Sequence, residues 1–207
     1  MYIPPQFAEQ DTAEIEKLVR EFSFATLVSL HNGKPWATHI PLHLHIHPTG
    51  EWYLHGHIAR ANPQWKNFEG QPDVLAIFMG PHSYVSPSWY NHKNVPTWNY
   101  LAAHLYGPIR VATEEESEQM LRSLMAHYEN KHAEKPQGFD EIPSHTLEKD
   151  LRGVVCFEIK VGRVEATRKL SQNRDAESHA SVIAHLKKTG EQNAQRIAAA
   201  MEKNKNQ

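Results

Sequence analysis

Cysteine is almost missing from this chain: Cys156 is the only one in 207 residues. That excludes an intrachain disulfide and a multi-cysteine zinc site, and it points to a reducing compartment. Its flanks, Val154-Val155-Cys156-Phe157, read as a buried strand, so the thiol is expected to be inert. No apolar run approaches membrane-spanning length, and Met1-Tyr2-Ile3-Pro4-Pro5 lacks the basic and apolar regions of a signal peptide. A cytoplasmic protein with no membrane partner is the expectation. Excess charge of one sign is also lacking. With 22 Lys and Arg against 24 Asp and Glu, the net charge of −2 withholds the broad basic face that nucleic acid usually demands. Only residues 163–207 depart from balance, with nine basic side chains against five acidic ones. Such a tail suits a solvated helix or a phosphate backbone.

What is present is a strand-rich pattern. At 207 residues the chain fits one substantial domain, and no repeat, low-complexity tract or separating linker divides it. A first helix is expected over residues 11–23, since Ile15, Leu18, Val19 and Phe22 return at helical spacing. Strand 24–30 follows, then Asn32-Gly33 marks a hairpin turn. Strict alternation from Trp36 to Ile46 predicts one long strand, at an edge or bulged at Pro41. Its partner is Glu51–His57. A short helix is expected over residues 61–68, and a central strand buried on both sides over residues 74–79. Residues 80–90 read as a proline-broken strand suited to the wall of a planar-ligand site. Leu101–Ala112 and Gly153–Arg168 each read as a single strand. Thr113 caps a helix over 114–131, with Met120, Leu121, Leu124, Met125 and Tyr128 as its buried stripe. Helices 175–188 and 191–203 close the chain around Gly190. Their helix-turn-helix appearance is weakened by the second helix, whose apolar residues look too sparse for a well-buried recognition helix. Long bent strands and hairpins favour a closed or split β-barrel.

Three constellations could carry chemistry. The stretch Tyr53–Trp65 runs a strand out into Arg60-Ala61-Asn62, a turn that offers an anion a guanidinium, an amide and open helix-start N–H groups. The alternative is a hairpin exit with an incidental arginine. The fifteen histidines include His43, His45 and His47 on one strand face and His55 and His57 on the returning strand. Imidazoles at such spacing can ligate a transition metal, although steps of roughly 6 to 7 Å along an extended strand are too long for a compact three-histidine site. Solvent-facing histidines are the alternative. No acid, base or nucleophile pairing stands out, so no catalytic residue is assigned.

Several blocks together resemble one family. These are Met1-Tyr2-Ile3-Pro4-Pro5-x-Phe7, Ala37-Thr38-His39-Ile40-Pro41, Gly56–Trp65, Gly80–Tyr90, Val95–Tyr100 and Lys169-Leu170-Ser171-Gln172-Asn173-Arg174. They are similar, in order and over nearly the whole chain, to the PaiB family of FMN-binding negative transcriptional regulators. That family resembles the flavin-binding split barrels, which include the pyridoxamine 5′-phosphate oxidases. The resemblance implies an α+β fold: one FMN-binding split-barrel domain over residues 1–207, with peripheral helices and a C-terminal helical extension over 175–207. It implies FMN as cofactor and a homodimer with the flavin at the subunit interface. It places the phosphate on Gly56, His57, Arg60 and Asn62, and His39 against the ring or ribityl chain. Ser86, Ser88, Trp89, Trp98 and Asn99 become ring contacts, and Lys169 and Gln172 contacts from the last strand end. Core packing is the competing account of each aromatic. Direct DNA contact is the implied property that the residues support least, and regulation through a flavin-bound state is the alternative. An FMN-dependent oxidoreductase remains a competing reading, with a metal- or haem-binding protein behind it.

Overall fold

A computed structural model describes residues 1–70 and 73–204. Residues 205–207 of the expected C-terminal extension lie outside the described residues. The strands, in chain order, are β1 (Ala8–Glu9), β2 (Phe24–His31), β3 (Lys34–Pro41), β4 (His43–Ile46), β5 (Trp52–Ala59), β6 (Val74–Val85), β7 (Thr97–Gly107), β8 (Ile109–Val111), β9 (Val154–Lys160) and β10 (Arg163–Lys169). The helices are α1 (Thr12–Glu21), α2 (Glu114–His132), α3 (Ser144–Gly153), α4 (Ala176–Lys188) and α5 (Gln192–Asn204). The strands form two antiparallel sheets. The chain divides into two compact units, each assembled from separate segments.

The first unit comprises Met1–Phe22, Phe78–His104 and Glu165–Gln207. Its strands are hydrogen-bonded in the order β1-β10-β7-β6. Asp11 caps α1 by accepting from the Ala13 N–H, and the helix buries Ile15, Leu18 and Val19. At the other end of the sequence α4 and α5 form a helical pair over Val85 and Leu170. Here the expectation of a poorly buried last helix is corrected. Ala194, Ile197, Ala198 and Met201 of α5 are each 0% exposed, because alanines at helical spacing let α5 approach Val182, Ile183 and Leu186 of α4 closely. The strand β6 also departs from expectation. It continues through Gly80 and Pro81 to Val85, and of the face expected to be buried Leu75 and Ile77 are half-buried and Met79 is 51% exposed. A Cβ at Gly80 would lie 2.6 Å from Leu18 Cδ1 and 3.2 Å from Leu101 Cβ. Glycine there lets the strand pass beneath its neighbours.

The second unit comprises Ser23–Ile77 and Leu105–Val164. It carries the strand order β6-β2-β3 in one sheet and β4-β5-β9-β8 in the other. The expected strand from Trp36 to Ile46 is two strands, one at an edge of each sheet. Pro41 has no N–H to continue a ladder, and the Leu42 N–H turns to the Ser23 carbonyl at 2.8 Å. Leu42 and Leu44 still point inward, 0% and 3% exposed. The strand expected over 101–112 likewise breaks into β7 and β8 at Gly107-Pro108. A Cβ on Gly107 would sit 1.8 Å from the Lys160 carbonyl oxygen, and the Lys160 N–H donates to the Pro108 carbonyl. The strand expected over 153–168 becomes β9 and β10, joined at Val161-Gly162.

Thr113 caps α2 as expected, in a full capping box with Glu116. Bidentate bonds from Arg110 to Glu116 hold that carboxyl well down, at about 2. The expected buried stripe of α2 is half-buried throughout, and none of the helix's residues is fully buried. The reason lies opposite it: Met120, Leu121 and Leu124 pack over His43, His55 and His57, where polar rings replace an apolar floor.

Candidate functional site

In the second unit β5 ends at Ala59, and the chain turns through Arg60 and Asn62 into a 3₁₀ turn, Pro63–Asn67. The short helix expected over 61–68 is thus present as five residues of 3₁₀ helix, and its start offers fewer open N–H groups than expected. Pro63 has no N–H, and the Gln64 N–H donates to Asn62 Oδ1 at 3.1 Å. A turn of five residues has little dipole to offer.

The polar groups around this turn are wired to one another. Asn62 Nδ2 donates to Thr38 Oγ1 at 2.9 Å, and Thr38 Oγ1 donates to Gln64 Oε1 at 2.6 Å. Gln64 is 0% exposed. Its Nε2 donates to Ser29 Oγ at 2.9 Å and reaches the carbonyls of Leu27 and Trp36 at 3.4 Å. Thr38 and Gln64 were not singled out from the sequence. The signal available was a glutamine beside Trp65 in a segment about to be buried, which only a partner on another strand makes informative.

Arg60 is exposed, and its guanidinium is partly committed. Nε donates to the Arg152 carbonyl at 2.7 Å and Nη2 to the Val154 carbonyl at 2.9 Å, while its backbone N–H donates to the Gly153 carbonyl. Arg60 thereby ties down the C-terminal end of α3, where carbonyls lack helical partners. One edge of the fork, Nη1, remains for a ligand, with Trp65 5.8 Å from the guanidinium carbon. Gly56 is explained by packing: a Cβ would meet Leu42 Cδ2 at 2.6 Å and Phe157 Cζ at 2.8 Å. His57 is half-buried, and burial lowers its pKa. His39 is exposed and shares a 2.9 Å hydrogen bond between Nδ1 and Thr26 Oγ1.

The histidines of this unit pair up. His45 stacks on His55 with ring centroids 5.5 Å apart, and His43 meets His127 at 4.8 Å. His55 Nε2 bonds Glu158 at 2.9 Å, yet burial outweighs that carboxylate and lowers the His55 pKa. Among the described residues no group of three or more His, Cys, Asp or Glu is gathered as metal ligands.

In the first unit the remaining candidates take different places. Asn99 is 0% exposed, and its amide exchanges two hydrogen bonds with Ser171, at 2.9 and 3.1 Å. Gln172 folds back on its own turn, accepting from the Leu170 N–H and donating to the Arg168 carbonyl. Ser86 shares a hydrogen bond with the Ser88 hydroxyl and accepts from the Ser88 N–H. Trp89 stacks on His185 at 5.3 Å. Trp98 is the ring still presented outward, 53% exposed, with Tyr84 edge-on at 6.0 Å. Lys169 is the outlier. Its half-buried ammonium donates to Thr97 Oγ1 at 2.5 Å and lies 5.9 Å from the Phe7 ring. Among the described residues it has no carboxylate partner, and burial, helped by Arg174, lowers its pKa. An anionic or carbonyl oxygen arriving there would offset the cost of burying the charge.

These groups fit FMN in kind. A flavin mononucleotide brings a phosphate, a ribityl chain of hydroxyls and a planar ring with carbonyl oxygens. Each unit offers a cation with unused hydrogen-bonding capacity, Arg60 in one and Lys169 in the other, and the first unit adds the outward-facing Trp98.

Comparison with known proteins gives the same answer. Residues 1–163 match the family model of a putative FMN-binding domain. Protease synthase and sporulation protein PAI 2 of Bacillus subtilis (strain 168) is 43% identical over 202 residues, covering 98% of this chain and 97% of that protein. Among solved structures, the flavocytochrome Anf3 of Azotobacter vinelandii superposes with a TM-score of 0.65 at 16% identity, over 86% of this chain and 78% of that one. The FAD and heme binding protein from Mycobacterium smegmatis gives 0.58 at 15% identity, over 84% and 78%. At such identities these structures speak to fold alone, and the fold is the α+β split barrel expected from the sequence.

Proposed function

Because the chain belongs to the putative FMN-binding domain family, with FMN as its cofactor, we propose that it is a PaiB-like regulator that works as a homodimer and reports through its flavin-bound state. The observation that carries this reading is the 43% identity to PAI 2 over nearly both full lengths, since that relative's name ties it to protease synthesis and sporulation. The homodimer draws support from the aromatic surface of the first unit, where Tyr84 and Trp98 are 44% and 53% exposed; exposed aromatics of this kind mark association or ligand sites. The flavin is proposed to lie at the subunit boundary, as the family resemblance implies.

Taken each within its own unit, Lys169 is proposed as a cationic contact for a flavin oxygen and Arg60 as a phosphate contact through Nη1. Asn62 and Thr38 present hydroxyl and amide groups at the turn, which buried Gln64 holds in place. Trp98 offers a face to the ring. Bound FMN supplies reversible redox chemistry; the residues of the chain bind it, orient it and limit access of water to it. Direct DNA contact is not required, because a flavin-dependent change in an accessory partner would serve as well.

The test is a titration of purified protein with FMN, followed by flavin fluorescence and light scattering. Saturable quenching at one FMN per chain with a dimer mass is the expected result. Unquenched FMN at millimolar protein, or a monomer in the presence of FMN, overturns the reading. A promoter-mobility assay with and without FMN then separates direct from indirect regulation.

A further inference from the structure

A cavity of about 480 Å³ belongs wholly to the second unit. It opens between the first turn of α2, the last turns of α3 and the start of β9. Its floor is apolar, made by Val111, Leu151, Val154 and Val155, and the Trp65 ring forms one wall. That volume suits a small molecule that buries one apolar group.

Four charged side chains line the cavity: Arg60, Arg152, Glu114 and Glu148. Two of them neutralise each other, since Arg152 Nη2 lies 3.1 Å from Glu148 Oε2 within α3. The other two do not. Arg60 spends Nε and Nη2 on backbone carbonyls and keeps Nη1. Glu114 is exposed at the start of α2, and the capping duty of that turn falls to Glu116. The cavity therefore presents one free guanidinium edge, one carboxylate without a cationic partner and an apolar floor. A ligand matching all three carries a carboxylate, an ammonium and an apolar side chain.

We propose that this cavity binds an apolar α-amino acid, with its carboxylate on Arg60, its ammonium on Glu114 and its side chain against Leu151 and Val155. A simple apolar acid leaves Glu114 facing a like charge, and a simple amine leaves Arg60 unmatched. Arg60 is shared with the flavin reading, so an amino acid here is placed to alter the turn that the flavin phosphate is proposed to meet. Amino-acid supply would then bear on the flavin-bound state. The site itself stands whether or not FMN binds at Arg60.

The experiment uses full-length protein, isothermal calorimetry and Trp65 emission, with Trp65→Phe assigning the signal. L-phenylalanine is the probe, hydrocinnamate lacks its ammonium and phenethylamine lacks its carboxylate. Saturable binding of L-phenylalanine is expected, with each analogue at least about tenfold weaker, the usual loss for a charge-assisted hydrogen bond. Glu114→Gln is expected to bring L-phenylalanine down to the level of hydrocinnamate while FMN affinity stays unchanged. Leu151→Arg, which fills the cavity, is expected to abolish amino-acid binding. Three results overturn the proposal: no saturable binding of L-phenylalanine, equal binding of hydrocinnamate, or wild-type affinity in Glu114→Gln. Competition between FMN and L-phenylalanine is expected, because both are proposed to use Nη1 of Arg60. Failure of FMN to bind at all while the amino acid binds would sink the flavin reading and leave this one standing.

Discussion

Two cations were expected to meet the flavin, and their surroundings are opposite. Arg60 is exposed, and two of its donors are bonded to carbonyls at the end of α3. Lys169 is half-buried, with a single hydroxyl partner and a pKa lowered mainly by burial. The turn carrying Arg60 is a finished structure, in which Thr38, Asn62 and Gln64 satisfy one another. The position of Lys169 is unfinished in the same sense, since its charge is removed from water without an opposite charge nearby. A wired region contributes chiefly to folding, whereas an under-compensated cation has most to gain from a ligand.

The most damaging change expected is Gln64→Leu, at the centre of the wired region. It takes from buried Ser29 and half-buried Thr38 the amide that both hydroxyls bond, and a loss of about 3 kcal/mol in unfolding free energy by urea titration is expected. A change under 1 kcal/mol would show that the network is replaceable by water and would blur the contrast. Next is Lys169→Met, expected to weaken FMN by roughly 2 kcal/mol while leaving stability level or slightly raised, because a half-buried charge without a carboxylate partner is removed. Equal losses of stability and of FMN affinity would place Lys169 in the same class as Gln64.

Arg60→Ala should divide its effect. We expect about 1 kcal/mol from stability, through loss of the bonds that close α3, and a comparable loss in FMN affinity through Nη1. An FMN loss larger than that of Lys169→Met would reverse the ranking drawn from burial.

The smallest effect expected is on pH. Burial lowers the pKa of His55, His57 and His104 below the ordinary histidine value. The unfolded chain therefore takes up more protons than the folded one once pH falls below about 6.5, and stability declines with acidity from that point. Thermal melts between pH 7.5 and 5.5 should show a melting temperature falling by a few degrees, and His57→Gln should flatten part of that slope. A melting temperature that rises on acidification would mean the half-buried imidazoles gain rather than lose from protonation. In that case the ion pair of His55 with Glu158 outweighs its burial.

Much of the fold was legible because it rests on local chemistry. Asn32-Gly33 demanded a hairpin, Thr113 a helix start, and Gly190 a helix stop, and each acts where it was read. The misread boundaries share one cause. Leu42, Pro108 and Gly162 end strands because the chain there leaves one sheet for another, and alternation of side chains continues through such a corner unbroken. Period two reports which face is buried, not which neighbour supplies the hydrogen bonds. In the candidate site, residue type was readable and commitment was not. Arg60, Asn62, Asn99, Gln172 and Lys169 all look like ligand-seeking side chains in the sequence.

The amino-acid sequence alone determined the family, its FMN cofactor and the α+β barrel class, because turn residues, caps and alternation act within a few positions and similarity accumulates along the whole length. Tertiary structure alone decided which polar groups are spent and which are available. Asn99 is consumed by Ser171, 72 residues away, and Gln64 by Ser29 and Thr38 on neighbouring strands, while Lys169 stays under-compensated. The physical reason is that hydrogen bonding and burial are properties of partners brought together by folding, and a residue's capacity for a ligand is what remains after those partners are served.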